Sequence, residues 1–258
     1  MVETTHSGNI GATARVMANM GLTQLCLVRP RSFPDPAATA RAVGADYILE
    51  QARMFDSLEA AVSDCGCVIG ATARRRSLAW PLLDAGQVAA RLVVEQQVTN
   101  CALIFGPEAS GLSNAHLDLC HAHLRIDVNE AFPSLNVATA VAVMAYEFRK
   151  QSGLGGLESA AQRAEGETPM TMGDFDHLMT HMETVLSNTA FFSGPKTKLL
   201  RKIRRLLLQG VKSTQEVNIL RGVLTSLEYA LGISDKQPQK RTQRAAQKTT
   251  QDNSNTRT

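Results

Sequence analysis

Three short segments hold the residue types that could carry out chemistry in this chain. They are Asn9–Arg15 (NIGATAR), Ile104–Leu112 (IFGPEASGL) and Ser134–Ala138 (SLNVA). Each lies where an apolar run gives way to a turn or a helix start, and each carries polar side chains there. Loops at strand ends are where α/β proteins place their ligand sites. The three segments together therefore indicate an active site.

The second segment is a glycine-bounded loop that carries Glu108. Gly106 and Gly111 would let a ligand approach the backbone, whose N–H and C=O groups can contact a flat neutral group such as adenine. A phosphate-binding loop would end in Gly-Lys-Ser/Thr, which is absent, and Gly8-x-x-Gly11 does not fit the dinucleotide fingerprint. A tight strand-to-helix turn is the alternative interpretation of this loop.

The other two segments place single polar residues near predicted helix starts. Arg15 falls about one turn into a predicted helix, where a guanidinium could reach an anion or could simply be a surface arginine. Ser134 and Asn136 bracket the start of a long apolar helix, and Ser134 could be its N-cap. The cluster Arg74-Arg75-Arg76 follows a predicted strand and could contact phosphate or only solvent.

Composition limits the class of protein. The 258 residues are 44% apolar and 20% charged, which is typical of a soluble globular chain. No apolar run approaches the roughly 20 residues of a membrane span, and the first residues do not resemble a signal peptide. Five cysteines without framework spacing favour a reducing compartment, and we expect a cytoplasmic protein. The spacing of Cys120, His121 and His123 matches no usual zinc pattern, so no metal is expected.

Charge is distributed unevenly along the chain. Residues 1–195 hold 13 Lys and Arg against 20 Asp and Glu, whereas residues 196–258 hold 14 against 4. A basic end on an acidic body is typical of a chain that binds a polyanion with one part. Because the basic residues begin within a predicted helix, a nucleic acid is favoured over a merely solvated tail.

The order of predicted elements favours an α/β fold with a parallel sheet between helices. Predicted strands are Leu25–Val28, Cys67–Ala71, Cys101–Phe105 and Leu124–Val128, and predicted helices are Gly11–Met20, Ser57–Val62, a helix capped by Ser113, and Leu135–Arg149. Further predicted helices cover Phe175–Leu186, Lys198–Leu208 and Gln215–Leu231. We expect a domain over 1–150, a linker over 151–170, a small helical domain over 171–233 and a disordered basic tail over 234–258.

In this order and spacing, the three segments resemble the motifs of the SPOUT class of RNA methyltransferases, most closely the TrmJ family. Gly70–Pro81 (GATARRRSLAWP) resembles that family's GTSAR…PWP segment, and Lys202–Leu206 (KIRRL) and Glu216–Glu228 resemble its helical extension. The resemblance implies a C-terminal trefoil knot within the first domain and a homodimer. It also implies methylation of the ribose 2′-hydroxyl of cytidine or uridine at position 32 in the tRNA anticodon loop.

The resemblance also implies which residues form the site. The reacting centre would hold Asn9, Arg15, Glu108, Ser134 and Asn136. S-adenosylmethionine would lie against Ala71, Thr72, Ala73, Gly106, Ile126, Pro133, Ser134 and Leu135. The tRNA would contact Arg74, Lys198, Arg201, Lys202, Arg204 and Arg205.

Other functions stay open at this level. A related enzyme could modify another tRNA position or ribosomal RNA, and a non-catalytic RNA-binding protein could keep the same scaffold. A nicotinamide-dependent oxidoreductase is disfavoured because no dinucleotide fingerprint is present. Members of the resembled family carry several more residues before the segment that begins here at Val2. We therefore expect the first strand to be almost absent, and suspect that the start is placed too late.

Overall fold

The computed structural model describes residues 1–73, 81–152, 168–189, 191–192 and 194–233. Its strands are β1 (Cys26–Val28), β2 (Arg53–Phe55), β3 (Cys65–Ala71), β4 (Leu82–Leu83), β5 (Asn100–Ile104) and β6 (Ala122–Leu124). Its helices are α1 (Ser7–Met20), α2 (Pro36–Ala42), α3 (Asp46–Glu50), α4 (Leu58–Val62), α5 (Ala85–Glu95), α6 (Asn114–Leu117), α7 (Val137–Ser152), α8 (Met172–Ser187), α9 (Lys196–Gly210) and α10 (Thr214–Ala230).

The strands form parallel sheets, as the alternation of strands and helices predicts. Strands β1 and β2 pair with each other, and a four-stranded sheet has the order β4-β6-β3-β5. Strand β3 is almost entirely buried, with Cys67, Val68 and Ile69 fully enclosed, because helices cover both of its faces. The position of β6 between β4 and β3 is compatible with the trefoil knot that the resemblance implies.

The first three residues join the two sheets. Val2 forms a parallel bridge to Val28, and its N–H donates to the Phe105 carbonyl at 2.8 Å. The amino group of Met1 is buried and donates to the Cys26 carbonyl at 2.7 Å. Burial lowers the pKa of this amine to about 6.

A cavity continues from Met1 between β1 and β5. Its volume is about 700 Å³, and β1 and β5 form its two edges. Apolar side chains of α1 and α7, including Met17 and Met144, lie over it, as do Leu58 and Val62 of α4. The cavity therefore has the surroundings of a buried strand position: a strand edge on each side and apolar helices above and below.

The structure moves one predicted strand and adds elements that the sequence analysis missed. The strand predicted at Leu124–Val128 lies instead at Ala122–Leu124, because His121 to Leu124 are buried beside β3 whereas the chain becomes more exposed from Arg125 onward. The missed helices carry readable signals: Asp35 caps α2 with proline at its first position, and Asp84 and Gln87 form a capping box on α5.

Helices α8, α9 and α10 pack on the first domain rather than standing apart. Phe175 and Leu208 belong to the same buried cluster as Val62 and Leu117. The predicted linker 151–170 and tail 234–258 lie mostly or wholly outside the described residues, although α7 reaches Ser152 and Met170 is buried. In the part of the chain that the structure describes, no helix is both long and apolar enough to cross a membrane.

Candidate active site

The parallel sheet brings the three sequence segments to one edge. Strands β3, β5 and β6 run in the same direction, so Ala71 at the end of β3, Phe105 after β5 and Ile126 beyond β6 lie at the same side of the sheet. These three residues and Val137, the first residue of α7, belong to or pack against one hydrophobic cluster. A hydrogen bond also joins β3 to β6 at this edge: the Thr72 N–H donates to the Leu124 carbonyl at 2.9 Å.

Glu108 holds the segment before α1 in place. One carboxylate oxygen accepts from the Thr5 N–H at 3.0 Å and the Thr5 hydroxyl at 2.6 Å, and the other accepts from Asn9 Nδ2 at 2.7 Å. Burial raises the pKa of Glu108, but the hydrogen bonds from Thr5 and Asn9 outweigh it and lower the pKa to about 2. A carboxylate with its oxygens occupied and so low a pKa is a poor proton acceptor at neutral pH.

Asn9 extends this network to the third segment. The Asn9 side chain is buried, and its Oδ1 accepts from Asn136 Nδ2 at 3.1 Å. Asn136 Oδ1 in turn accepts from the Ala138 N–H at 2.9 Å in the first turn of α7. Asn136 rather than Ser134 therefore caps this helix, which begins two residues later than predicted. The network Glu108–Asn9–Asn136 joins all three segments.

Arg15 and Ser134 are exposed and have no hydrogen bond or ion pair within the described part of the chain. None of the contacts there joins Arg15 to the network of Glu108, Asn9 and Asn136. A guanidinium and a hydroxyl that the fold does not use are available to a ligand. The other three residues predicted for the reacting centre, Asn9, Glu108 and Asn136, are instead joined by hydrogen bonds.

The predicted cofactor positions lie at the same edge, and their chemistry fits S-adenosylmethionine. The alanine, isoleucine, proline and leucine residues at these positions are neutral and apolar, a chemistry that suits an adenine ring. Position 106 requires glycine because the loop packs closely against itself: a Cβ there would lie 2.4 Å from the Leu112 nitrogen. None of the residues predicted for cofactor binding lines the cavity beside Met1.

Two of the predicted RNA contacts are engaged in holding α9. Arg201 forms two hydrogen bonds with the Asp118 carboxylate, one of them at 2.9 Å. Arg204 donates to the Asp118 carbonyl at 2.9 Å, pairs with Asp176 and lies 5.2 Å from the Phe175 ring centre. Lys198 and Lys202 are exposed, whereas Arg205 has an intramolecular partner. Arg74 lies outside the described residues.

The histidines and cysteine that could suggest a metal have structural contacts. His121 Nδ1 accepts from the Val68 N–H at 3.0 Å, and burial together with nearby cations lowers its pKa to about 3. His123 Nε2 lies 3.3 Å from the Leu117 carbonyl, and the Cys120 thiol lies 3.4 Å from the His116 carbonyl. Within the described ranges no group of three potential ligands could hold a metal ion.

Thr5 is part of the site although nothing in its sequence context predicts it. Its N–H and hydroxyl supply two of the hydrogen bonds to Glu108, 103 residues away. A single threonine before a helix has no pattern that would reveal this contact, and only the folded chain identifies it.

Comparison with known proteins identifies the family. The model of the SpoU rRNA Methylase family matches residues 1–146, and that of the C-terminal domain of the tRNA methyltransferase TrmJ matches residues 173–247. The chain is 41% identical over 230 residues to the tRNA (cytidine/uridine-2′-O-)-methyltransferase TrmJ of Escherichia coli K12, covering 88% of this chain and 93% of that protein. The chain belongs to the SpoU methylase family. Its TrmJ-type C-terminal domain places it among the TrmJ proteins.

Solved structures agree with this assignment. TrmJ from Z. mobilis ZM4 superposes with a TM-score of 0.77 at 35% identity, covering 88% of this chain and 96% of that one. A probable methylase family protein from Haemophilus influenzae Rd KW20 gives 0.58 at 35% identity, with coverages of 90% and 95%. The similarity to these two structures therefore extends over both the sheet domain and the C-terminal helices.

Replacing Glu108 by glutamine is expected to lower the free energy of unfolding by about 1–2 kcal/mol at pH 7, since hydrogen bonds to a charged acceptor are lost. Because the folded pKa of Glu108 is about 2 and its ordinary value is 4.5, the wild-type contribution is present above pH 4.5 and is lost as pH falls towards 2. The difference between the two proteins should shrink over that interval in urea unfolding. Glu147→Gln, at a 3.8 Å ion pair with the exposed Lys150 on α7, is the control and should change little.

Proposed function

We propose that this protein transfers a methyl group from S-adenosylmethionine to the ribose 2′-hydroxyl of cytidine or uridine at position 32 in the tRNA anticodon loop. The observation that supports it most is the Asn9–Asn136 hydrogen bond, with Glu108 behind it, at the sheet edge where the predicted cofactor positions lie. The chain's similarity to TrmJ proteins over both domains adds the tRNA and the 2′-hydroxyl to the proposal.

The proposed mechanism depends on positioning and charge stabilisation. The bound cofactor supplies an electrophilic methyl group on a sulfonium. Arg15, with a guanidinium that stays protonated, binds the phosphate beside the target ribose and stabilises the ribose oxygen as its proton passes to solvent water. The Ser134 hydroxyl faces solvent at the same edge and orients the ribose. Glu108 and Asn9 act through Asn136 as positioning residues, because they fix the start of α7.

The tRNA backbone is proposed to lie along the lysines of α9. Lys198 and Lys202 are four residues apart and so share one helix face, and both are exposed. Arg201 and Arg204 instead keep α9 attached to Asp118, which makes them supports of that face rather than its phosphate contacts. We extend the proposal to a cytoplasmic homodimer, as the resemblance implies.

The double variant Lys198→Gln and Lys202→Gln is expected to weaken tRNA binding and to reduce the slope of log affinity against log salt by about 1.5, since each lost phosphate contact removes about 0.7–0.9. Filter binding at several salt concentrations measures it. Lys196→Gln is the matched control on the same helix, because Lys196 already lies 2.6 Å from the Glu183 carboxylate. An unchanged slope in the double variant would contradict the assignment.

Incorporation of labelled methyl groups into bulk tRNA and ribosomal RNA, followed by mapping of the modified nucleotide, tests the whole proposal. The expected product carries a 2′-O-methyl group at position 32 of tRNA. Modification at another tRNA position or in ribosomal RNA would point to a related enzyme of the family. Binding of tRNA without any transfer would point to a non-catalytic RNA-binding protein.

A further inference from the structure

The loop from β6 to α7 presents a single aromatic ring to solvent. Phe132 is 76% exposed, more than any other large hydrophobic side chain in the described residues. Single exposed apolar residues are common and need no explanation by themselves. Phe132 differs from them by its place, two residues before Ser134 and on the loop that leads into the proposed reacting centre.

Hydrogen bonds hold the backbone on both sides of this ring. Asn129 Oδ1 accepts from the Ala131 N–H at 2.9 Å, and the Asn129 carbonyl accepts from the Phe132 N–H at 2.9 Å. At the other end Asn136 is tied to Asn9 and to α7. Phe132 is therefore exposed on a backbone that the fold has positioned in advance, which lowers the entropic cost of using it in binding.

The part of the loop nearest Phe132 is acidic. The loop's single basic residue, Arg125, lies at its β6 end, whereas Asp127 and Glu130 lie closer to Phe132 in the sequence. Acidic side chains disfavour a contact with the RNA backbone, but they do not oppose stacking on the face of a base. Aromatic side chains bind unpaired bases in this way, and the contact is largely independent of charge.

We propose that Phe132 is a positioning residue that stacks on a nucleobase of the substrate RNA next to the target ribose. This inference depends on the proposed function. Where the target nucleotide leaves the stack of its neighbours to bring its ribose to the cofactor, the Phe132 ring replaces a lost stacking partner. The target must then lie in a single-stranded loop, where such a base is accessible.

The test is Phe132→Leu, which keeps an apolar side chain and removes the ring. The expected result is an increase of about tenfold in both the KM and the Kd for tRNA, the scale of one lost base–aromatic stack. The kcat at saturating tRNA and the Kd for S-adenosylhomocysteine should change less than twofold. The salt dependence of tRNA binding should keep its wild-type slope, because no phosphate contact is lost.

Two further variants make the result specific. Phe132→Tyr keeps the ring and should restore wild-type affinity for tRNA. Tyr47→Leu removes an exposed aromatic ring from α3 and should leave affinity unchanged. The proposal is overturned if Phe132→Leu binds tRNA normally, if it changes only cofactor affinity, or if it instead changes the molecular mass in solution. Because the Kd for tRNA needs no turnover, this result is independent of whether methyl transfer itself is found.

Discussion

Replacing Arg15 by alanine should reduce methyl transfer at least about a hundredfold while leaving the affinity for S-adenosylmethionine nearly unchanged. A loss of this size is typical when one preorganised donor to a developing oxyanion is removed. Arg15 is exposed and has no partner within the described chain, so the substitution removes no structural contact. Single-turnover rates at saturating tRNA, together with calorimetric titration of the cofactor, measure the two effects separately.

Two other variants separate charge from geometry at Arg15. Arg15→Lys keeps a positive charge but loses the planar fork of donors, and it should restore only part of the rate. Arg41→Ala removes another exposed arginine, near Gly8 of α1, and should leave the rate close to that of the wild type. Near-normal turnover in Arg15→Ala would rule out the proposed role.

Extending the chain before Met1 with six residues of valine and isoleucine should raise the free energy of unfolding by about 3 kcal/mol. The cavity of about 700 Å³ between β1 and β5 is bounded by strand edges and apolar helices, so an added strand would bury apolar side chains on both faces. That gain exceeds the entropic cost of ordering the segment by a few kcal/mol. The extension also removes the amine of Met1 from a buried position, where its pKa is lowered to about 6.

Thermal unfolding measures this effect, because about 3 kcal/mol corresponds to roughly 6–12 °C in a chain of this size. A six-residue extension of glycine and serine is the matched control: it has the same length but cannot fill the cavity with apolar side chains. Equal melting temperatures for the two extensions would show that the cavity does not accept a strand.

The sequence alone predicts the sheet better than it predicts the site. Buried strands such as Cys65–Ala71 are continuous apolar runs, and β3 was predicted nearly in full. The contact of Asn9 with Asn136 spans 127 positions, and no periodicity reports such a pair. Grouping these residues depended on resemblance to a family. Only the folded structure shows that Glu108 binds Thr5 and Asn9 and that Asn136 caps α7.

The basic residues of α9 are a second case in which the sequence alone does not predict the role of each side chain. Lys198, Arg201, Lys202 and Arg204 form one basic pattern in the sequence, and charge alone cannot separate them. What separates them is Asp118, which lies 83 residues before Arg201 and accepts hydrogen bonds from Arg201 and Arg204. A basic stretch predicts that a polyanion is bound. The acidic side chains packed against that stretch decide which of its basic side chains are left to contact the polyanion.

The buried cluster that α8, α9 and α10 share with the first domain fixes the distance between α9 and the sheet edge. Because Phe175 and Leu208 pack into the same cluster as Val62 and Leu117, α9 cannot shift without opening that cluster. The interval between the lysines of α9 and the sheet edge is therefore constant. If the lysines of α9 bind the RNA backbone as proposed, we expect an RNA to fit only when its backbone contact and its target ribose are separated by that interval.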